Sequence, residues 1–158
     1  MRSVDSDEAT PFATPLLYAE EIEIGAHFDF GSYEMTANEI ATFGAKWDPL
    51  PLHLSGDDAN GTAFGRMVAS GVHTMAVFQR LSVLAAFSGW DIFAGRRLDD
   101  VRLLSPVFPG DTLTGSLDVQ SIVMNHPGRG LVTCFGWLET ERGHVLELIT
   151  ESYVNRRP

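Results

Sequence analysis

One apolar segment, residues 72–87, limits what this chain can fold into. Its sequence, VHTMAVFQRLSVLAAF, contains no glycine or proline and is apolar on nearly every side except around Gln79. This pattern predicts a helix buried inside the molecule. Ser70 is positioned to cap its start and Gly89 to end it. At about 1.5 Å per residue the helix is roughly 24 Å long, which is too short to span a bilayer.

Segments with strand character lie on both sides of this helix. They alternate apolar and polar side chains or are rich in β-branched residues, and the last two flank ERGH, a glycine-containing connection typical of a hairpin. Residues 37–47 predict a short helix. The order of elements predicts an α+β fold in which an antiparallel sheet wraps around the long central helix. The candidate strands are residues 27–36, 98–107, 111–123, 130–140 and 145–154.

Composition excludes several classes of protein. The length of 158 residues suits one domain, expected at residues 19–158 after an N-terminal arm at 1–18. The net charge of −10 argues against a nucleic-acid or anionic-membrane partner. Cys134 is the only cysteine, and no grouping of potential ligands has metal spacing, so we expect neither a disulfide nor a metal site. The arm lacks an apolar run, which favours a cytoplasmic location.

The stretch WDPLPLH, residues 47–53, places Asp48 a short distance before His53. Pro49 and Pro51 disfavour helix and stiffen the loop, so its two ends can converge on one point. The leucines between them would make the surroundings apolar. An alternative is a plain turn, with Asp48 as a cap and His53 on the surface.

Two longer stretches carry a family resemblance. WDPLPLHLSGDDANGTAFGRMVASGVHTMAVFQRL (47–81) resembles the hydratase signature of the MaoC-like enoyl-CoA hydratases, and LLSPVFPGDTLTGSLDV (103–119) resembles their Pro-Gly-Asp turn. The resemblance implies a hot-dog fold, usually dimeric. It also implies syn addition of water to a trans-2-enoyl-CoA to give the (R)-3-hydroxyacyl thioester, a reaction of fatty acid metabolism with the CoA thioester as substrate and no other cofactor.

The resemblance also assigns roles to residues. Asp48 and His53 become the catalytic pair, because hydration needs a base for the attacking water and an acid for the neighbouring carbon. Ser70, Gly71 and Val72 become the oxyanion and substrate-binding segment, because the first N–H groups of a helix lack internal acceptors.

Basic residues are needed for the phosphates of CoA. The candidates are Arg66, just before the oxyanion segment, and Arg96 and Arg97 after the long helix. Ordinary surface charge is the alternative for all three. His73, in the first turn of the helix, is expected to be a packed histidine.

This sequence departs from the family at one position near the pair. Leu50 stands where MaoC-like enzymes often have an asparagine or glutamine, so one hydrogen-bond donor is missing.

Two other functions stay open. One is a hot-dog acyl-CoA thioesterase, which in the family often carries a carboxylate on the central helix, but residues 72–87 contain no Asp or Glu. The other is a non-catalytic acyl-thioester-binding subunit.

A lone wrapped sheet has exposed edges, so we also expect a homodimer or a higher even homo-oligomer.

Overall fold

The computed structural model describes residues 16–158, and the predicted arm at 1–18 therefore falls almost entirely outside the described residues. Leu17, near its end, forms an isolated parallel bridge with Trp90. Short 3₁₀ turns occur at Ala19–Glu21, Pro51–His53 and Phe87–Gly89. The helices and strands are β1 (His27–Asp29), β2 (Tyr33–Glu34), α1 (Ala37–Trp47), α2 (Gly56–Ala59), α3 (Gly71–Ala85), β3 (Ile92–Leu103), β4 (Thr112–His126), β5 (Arg129–Thr140) and β6 (Gly143–Asn155).

The strands form one antiparallel sheet of six strands in the order β1-β4-β5-β6-β3, with β2 pairing separately with β4. The hairpin predicted at ERGH is confirmed, since β5 and β6 pair from Thr140 and Gly143 onward. Gly143 has φ 113°, a conformation that favours glycine at this turn. The arrangement is the α+β hot-dog fold expected from the sequence, and β3 is one of its two edges.

One face of α3 packs against the sheet. Phe78 is 1% exposed, and a Cβ added at Gly136 of β5 would lie 2.4 Å from its ring. The other face, with Val72 and Leu84, is exposed. The central helix that the sequence predicts to be buried is therefore buried on one face only in the single chain. An all-round apolar pattern shows that a helix will be covered, but it does not show whether the cover comes from the same chain.

Element bounds differ from prediction where local signals conflict. The predicted strand 27–36 is divided into β1 and β2, and the strand predicted at 98–107 is β3, which starts earlier and ends sooner. Three register shifts interrupt the pairing of β3 with β6, so its alternation of side chains is lost. The short helix at 37–47 is confirmed as α1, capped by Thr36. The long helix was predicted at 72–87 and runs from Gly71 to Ala85.

The core lies between α3 and the sheet. Cys134 of β5 is buried within it, and this burial raises the pKa of its thiol to about 12. In the described part of the chain, no helix is long and apolar enough to cross a membrane.

Candidate active site

The loop after α1 brings Asp48 and His53 together. Asp48 ends the helix, and its N–H donates to the Gly44 carbonyl at 2.9 Å. Its own carbonyl accepts from Leu50 N–H at 2.8 Å, and the His53 N–H then donates to the Leu50 carbonyl at 2.9 Å. These bonds fold the loop back on itself, so that Nε2 of His53 lies 3.3 Å from Oδ2 of Asp48.

A backbone carbonyl fixes the orientation of the imidazole. Nδ1 of His53 lies 2.8 Å from the Val68 carbonyl oxygen. Because a carbonyl only accepts, Nδ1 carries a hydrogen and donates it, and Nε2 is the nitrogen that faces Asp48. The side chain of His53 is 8% exposed and that of Asp48 is 28% exposed. Sequence reasoning missed Val68, since any residue can supply a carbonyl.

Ser70 connects the start of α3 to the acid. It caps the helix as predicted, because its Oγ accepts from Val72 N–H at 3.2 Å. The same hydroxyl donates to Oδ2 of Asp48 at 2.7 Å. Ser70 is 1% exposed. Oδ2 is thus shared between Ser70 and His53, and Oδ1 has no protein partner among the residues described, so it is available to a ligand.

Two backbone amides of the predicted oxyanion segment differ in whether a protein acceptor already uses them. The Val72 N–H is used by the cap, whereas the Gly71 N–H has no acceptor within the described part of the chain. Gly71 is also closely covered, because a Cβ built there would lie 2.3 Å from Cδ1 of Leu103, at the end of β3. The amide of Gly71 is therefore a donor that the helix start offers to a ligand in the cleft.

Gly44 supports the loop from the other side. A Cβ at this position would lie 2.5 Å from the carbonyl oxygen of His53 and 2.9 Å from its Cβ. The backbone of α1 and that of the loop are thus in direct contact. A glycine inside a helix costs roughly 1 kcal/mol relative to alanine, so its presence in the predicted helix 37–47 was the sequence signal that could have indicated this contact.

A mostly apolar cleft of about 300 Å³ opens beside the pair, and both His53 and Gly71 line it. Leu50 is absent from its lining and is 52% exposed, so the departure from the family pattern does not place a leucine in the cleft. Leu52, a second leucine of the same loop, does line it. The other lining residues are Phe64, Val68, Ala69, Thr74, Leu103, Leu104, Ser105, Pro106, Val107 and Val145.

The Pro-Gly-Asp turn anchors the wall of this cleft. Asp111 accepts the Phe108 N–H at 2.8 Å and pairs with the guanidinium of Arg142, which holds the pKa of Asp111 below its usual value. The Val107 carbonyl in turn accepts from Ala69 N–H at 2.8 Å, next to the oxyanion segment. The motif therefore has a structural role here.

The arginines predicted to contact phosphates lie in two places. Arg66 lies over the ring of Phe108, with its Cζ 3.4 Å from the centroid. Arg96 and Arg97 lie on β3, outside the cleft, and both pair with Glu151. The structure does not bring the three together, and their role stays a prediction.

His73 is the packed histidine that the sequence suggested. It is 5% exposed and stacks on Phe43 with a centroid separation of 4.5 Å. Its Nδ1 has no hydrogen-bond partner among the described residues, and burial lowers its pKa. It does not line the cleft.

Comparisons with known proteins point in one direction. The family model described as "MaoC like domain" matches residues 20–131. Uncharacterized protein YdeM of Bacillus subtilis (strain 168) is 30% identical over 100 residues, which are 63% of this chain and 71% of that protein. The crystal structure of the MaoC-like dehydratase from Rhodospirillum rubrum matches with a TM-score of 0.78 and 31% identity, covering 90% of this chain and 99% of that one. The (R)-hydratase from A. caviae involved in PHA biosynthesis matches with a TM-score of 0.68 and 26% identity, covering 87% and 99%.

Proposed function

Because the chain belongs to the MaoC-like dehydratase family, we propose that it adds water reversibly to a trans-2-enoyl-CoA to give the (R)-3-hydroxyacyl-CoA. The observation that carries this proposal is the contact between Asp48 and His53 at the edge of an apolar cleft. An acid and a base that share one contact can take one proton from the attacking water and supply one to the neighbouring carbon. The family supports the class of reaction, and the geometry supports the choice of Asp48 and His53 as the reacting pair.

The proton transfers balance around this pair. Oδ1 of Asp48 takes a proton from the water as its oxygen bonds to C3 of the thioester. A proton on Nε2 of His53 goes to C2, on the same face, since both groups lie on one side of the substrate. The Asp48 carboxyl, once turned so that its protonated oxygen faces the imidazole, gives this proton to the vacated Nε2 of His53, which lies 3.3 Å from the carboxyl in the resting state; this restores the starting state. The Val68 carbonyl keeps the imidazole turned toward the acid throughout.

Negative charge builds on the thioester oxygen during this addition. The Gly71 N–H lies in the first turn of α3, where the helix dipole favours negative charge. Among the described residues no protein acceptor competes for this N–H, so it can donate to the thioester oxygen. The apolar side chains around the cleft exclude bulk water, which strengthens this interaction.

The alternative functions fit the site less well. A thioesterase that carries its carboxylate on the central helix would need an acid on α3, and α3 has none. A non-catalytic acyl-thioester-binding subunit would not need the chain of contacts from Ser70 through Asp48 to His53.

We also propose that the protein is a homodimer in which β3 of one copy pairs with β3 of the other. This strand is a free edge of the sheet, and Phe93, Leu98 and Leu103 along it are more than half exposed. The exposed apolar face of α3 needs cover as well. Sedimentation should show a dimer, and Leu98→Lys should shift it toward monomer. A monomeric mass for the unaltered protein would contradict the proposal.

The reaction itself is tested with a panel of enoyl-CoA thioesters followed at the absorbance of the conjugated bond. Asp48→Asn and His53→Gln should each lower kcat by about 10²- to 10⁴-fold, because each removes a proton-transfer partner. Asp57→Asn, an exposed carboxylate on α2, is the matched control and should leave kcat unchanged. Free thiol released from a saturated acyl-CoA, with no hydration of any enoyl thioester, would favour the thioesterase instead.

A further inference from the structure

Leu103, the last residue of β3, lies over the start of α3. A Cβ built on Gly71 would lie 2.3 Å from Cδ1 of Leu103, 3.2 Å from its Cδ2 and 3.3 Å from its Cγ. The branched end of the leucine therefore fills the space beside Gly71 that any larger residue would need. Leu103 also lines the cleft beside His53, and more than half of it is exposed. The side chain thus covers the helix start and forms a wall of the cleft.

A β-bulge directs Leu103 toward α3. Leu98 pairs with Thr150 of β6, and because Thr150 is buried, both point to the face of the sheet that carries α3. Leu103 pairs with Leu146, which is also buried, so it points to the same face. In a regular strand, residues an odd number of positions apart point to opposite faces. The register shift at residues 99–102 inserts the extra residue that brings both leucines to one face.

Polar groups within the bulge stabilise it. Asp100 has φ 45°, in the left-handed region that residues other than glycine rarely adopt. Its N–H donates to Oδ1 of Asp99 at 2.9 Å, and its Oδ1 accepts from Nε of Arg102 at 3.0 Å. A backbone conformation of this kind costs free energy and persists only where its surroundings hold it. In this chain its consequence is the position of Leu103.

That position bears on the carbon that is protonated in the proposed reaction. The Gly71 N–H holds the thioester oxygen, and Nε2 of His53 delivers a proton to C2. C2 is two bonds from that oxygen, so it has to lie between Gly71 and His53, and both of these residues line the cleft together with Leu103. A hydrogen atom on C2 fits this space, whereas a methyl group on C2 needs volume that Leu103 occupies.

We infer that Leu103 is a specificity-determining residue that restricts the protein to enoyl thioesters with hydrogen at C2, and this inference rests on the proposed function. Thioesters with a methyl branch at C2 are excluded. One methyl group more or less in an apolar pocket changes kcat/KM by about 10- to 200-fold. Because the restriction acts at the reacting carbon, it does not depend on the length of the acyl chain beyond C3.

Kinetics with crotonyl-CoA and 2-methylcrotonyl-CoA test this restriction at the absorbance of the conjugated bond. The measured quantity is the selectivity, which is kcat/KM for crotonyl-CoA divided by kcat/KM for the methylated thioester. Leu103→Ala removes the branched end of the side chain, so it should lower the selectivity at least about tenfold relative to wild type. The lower intrinsic reactivity of the methylated thioester is the same for every protein and cancels in this comparison.

Leu98→Ala is the matched control. Leu98 lies on the same strand and the same sheet face, is also more than half exposed, and does not line the cleft, so this variant should change the selectivity by less than about twofold. Both leucines lie in the proposed dimer contact, so a weaker dimer would affect both variants alike. Leu103→Val is a milder second variant and should lower the selectivity part of the way. Circular dichroism and sedimentation check the fold and the mass of each protein.

Saturated thioesters test the same contact without turnover, because neither butyryl-CoA nor 2-methylbutyryl-CoA can be hydrated. Calorimetry should show that the wild type binds butyryl-CoA at least about tenfold more tightly than 2-methylbutyryl-CoA. Leu103→Ala should reduce this difference, and Leu98→Ala should preserve it.

The outcomes separate this inference from the proposed function. Hydration of crotonyl-CoA with the same selectivity in wild type and Leu103→Ala would keep the function and overturn the role of Leu103. Equal losses of selectivity in Leu103→Ala and Leu98→Ala would overturn it as well. Discrimination between the saturated thioesters that depends on Leu103, without hydration of any enoyl thioester, would refute the hydratase function and keep Leu103 as the residue that excludes a branch at C2.

Discussion

Gly44→Ala offers a test of how the loop holds the imidazole. The added Cβ would lie 2.5 Å from the carbonyl oxygen of His53, which is shorter than an ordinary contact of about 3.5 Å by about 1 Å. The atom in its way belongs to the backbone, so relief requires movement of the His53 segment itself. Misplacement of a catalytic group by about 1 Å can lower the rate about a hundredfold.

Stability should respond much less than activity. Alanine is favoured over glycine inside a helix by roughly 1 kcal/mol, which offsets part of an overpacking cost of about 1–3 kcal/mol. We therefore expect kcat for enoyl-CoA hydration to fall about a hundredfold while the free energy of unfolding changes by about 2 kcal/mol or less.

The assay compares kcat and urea unfolding for wild type, Gly44→Ala and Gly56→Ala. Gly56 lies on α2, and a Cβ added there would have no atom within 4 Å, so the same substitution at this position should leave kcat unchanged. If Gly44→Ala kept kcat within about twofold of wild type, the reasoning that α1 positions His53 would be refuted.

Three further predictions concern single side chains. Ser70→Ala removes both the cap of α3 and a hydrogen bond to Asp48. We therefore expect the free energy of unfolding to fall by about 1 kcal/mol and kcat to fall about tenfold. An unchanged kcat would show that Ser70 has no role in the site. Leu50→Asn should change kcat by less than about twofold, because Leu50 lies outside the cleft lining, and a larger change would place this residue at the site. Burial lowers the pKa of His73, so the unfolded chain binds its proton more readily, and the free energy of unfolding should fall as the pH drops below the ordinary histidine value of 6.5. His73→Phe should make this fall shallower in urea unfolding at a series of pH values, and an identical pH dependence in both proteins would contradict it.

Local signals in the sequence predicted the local structure. The bounds of α1, the hairpin before Gly143 and the cap by Ser70 each depend on residues near one another in the chain. The convergence of Asp48 and His53 belongs to this group, because two prolines and a short spacing largely determine it.

The contacts that position the site depend on distant parts of the chain. The carbonyl of Val68 and the close approach of Gly44 exist only when α1, the loop and the segment before α3 are packed together. The start of β3 was missed because bulges disturb the alternation of its inward and outward side chains. The exposed face of α3 was missed because apolar periodicity does not identify the surface that covers a helix. Tertiary packing decides each of these, and a single sequence carries little trace of it.

Cys134 gives this fold a built-in reporter. With a pKa of about 12, its thiol is almost entirely protonated at neutral pH, and its position in the core keeps reagents away. A maleimide can therefore label the Cys134 thiol only after β5 separates from the helix that covers it. The labelling rate of the unmodified protein measures how often its sheet opens, without any engineered probe.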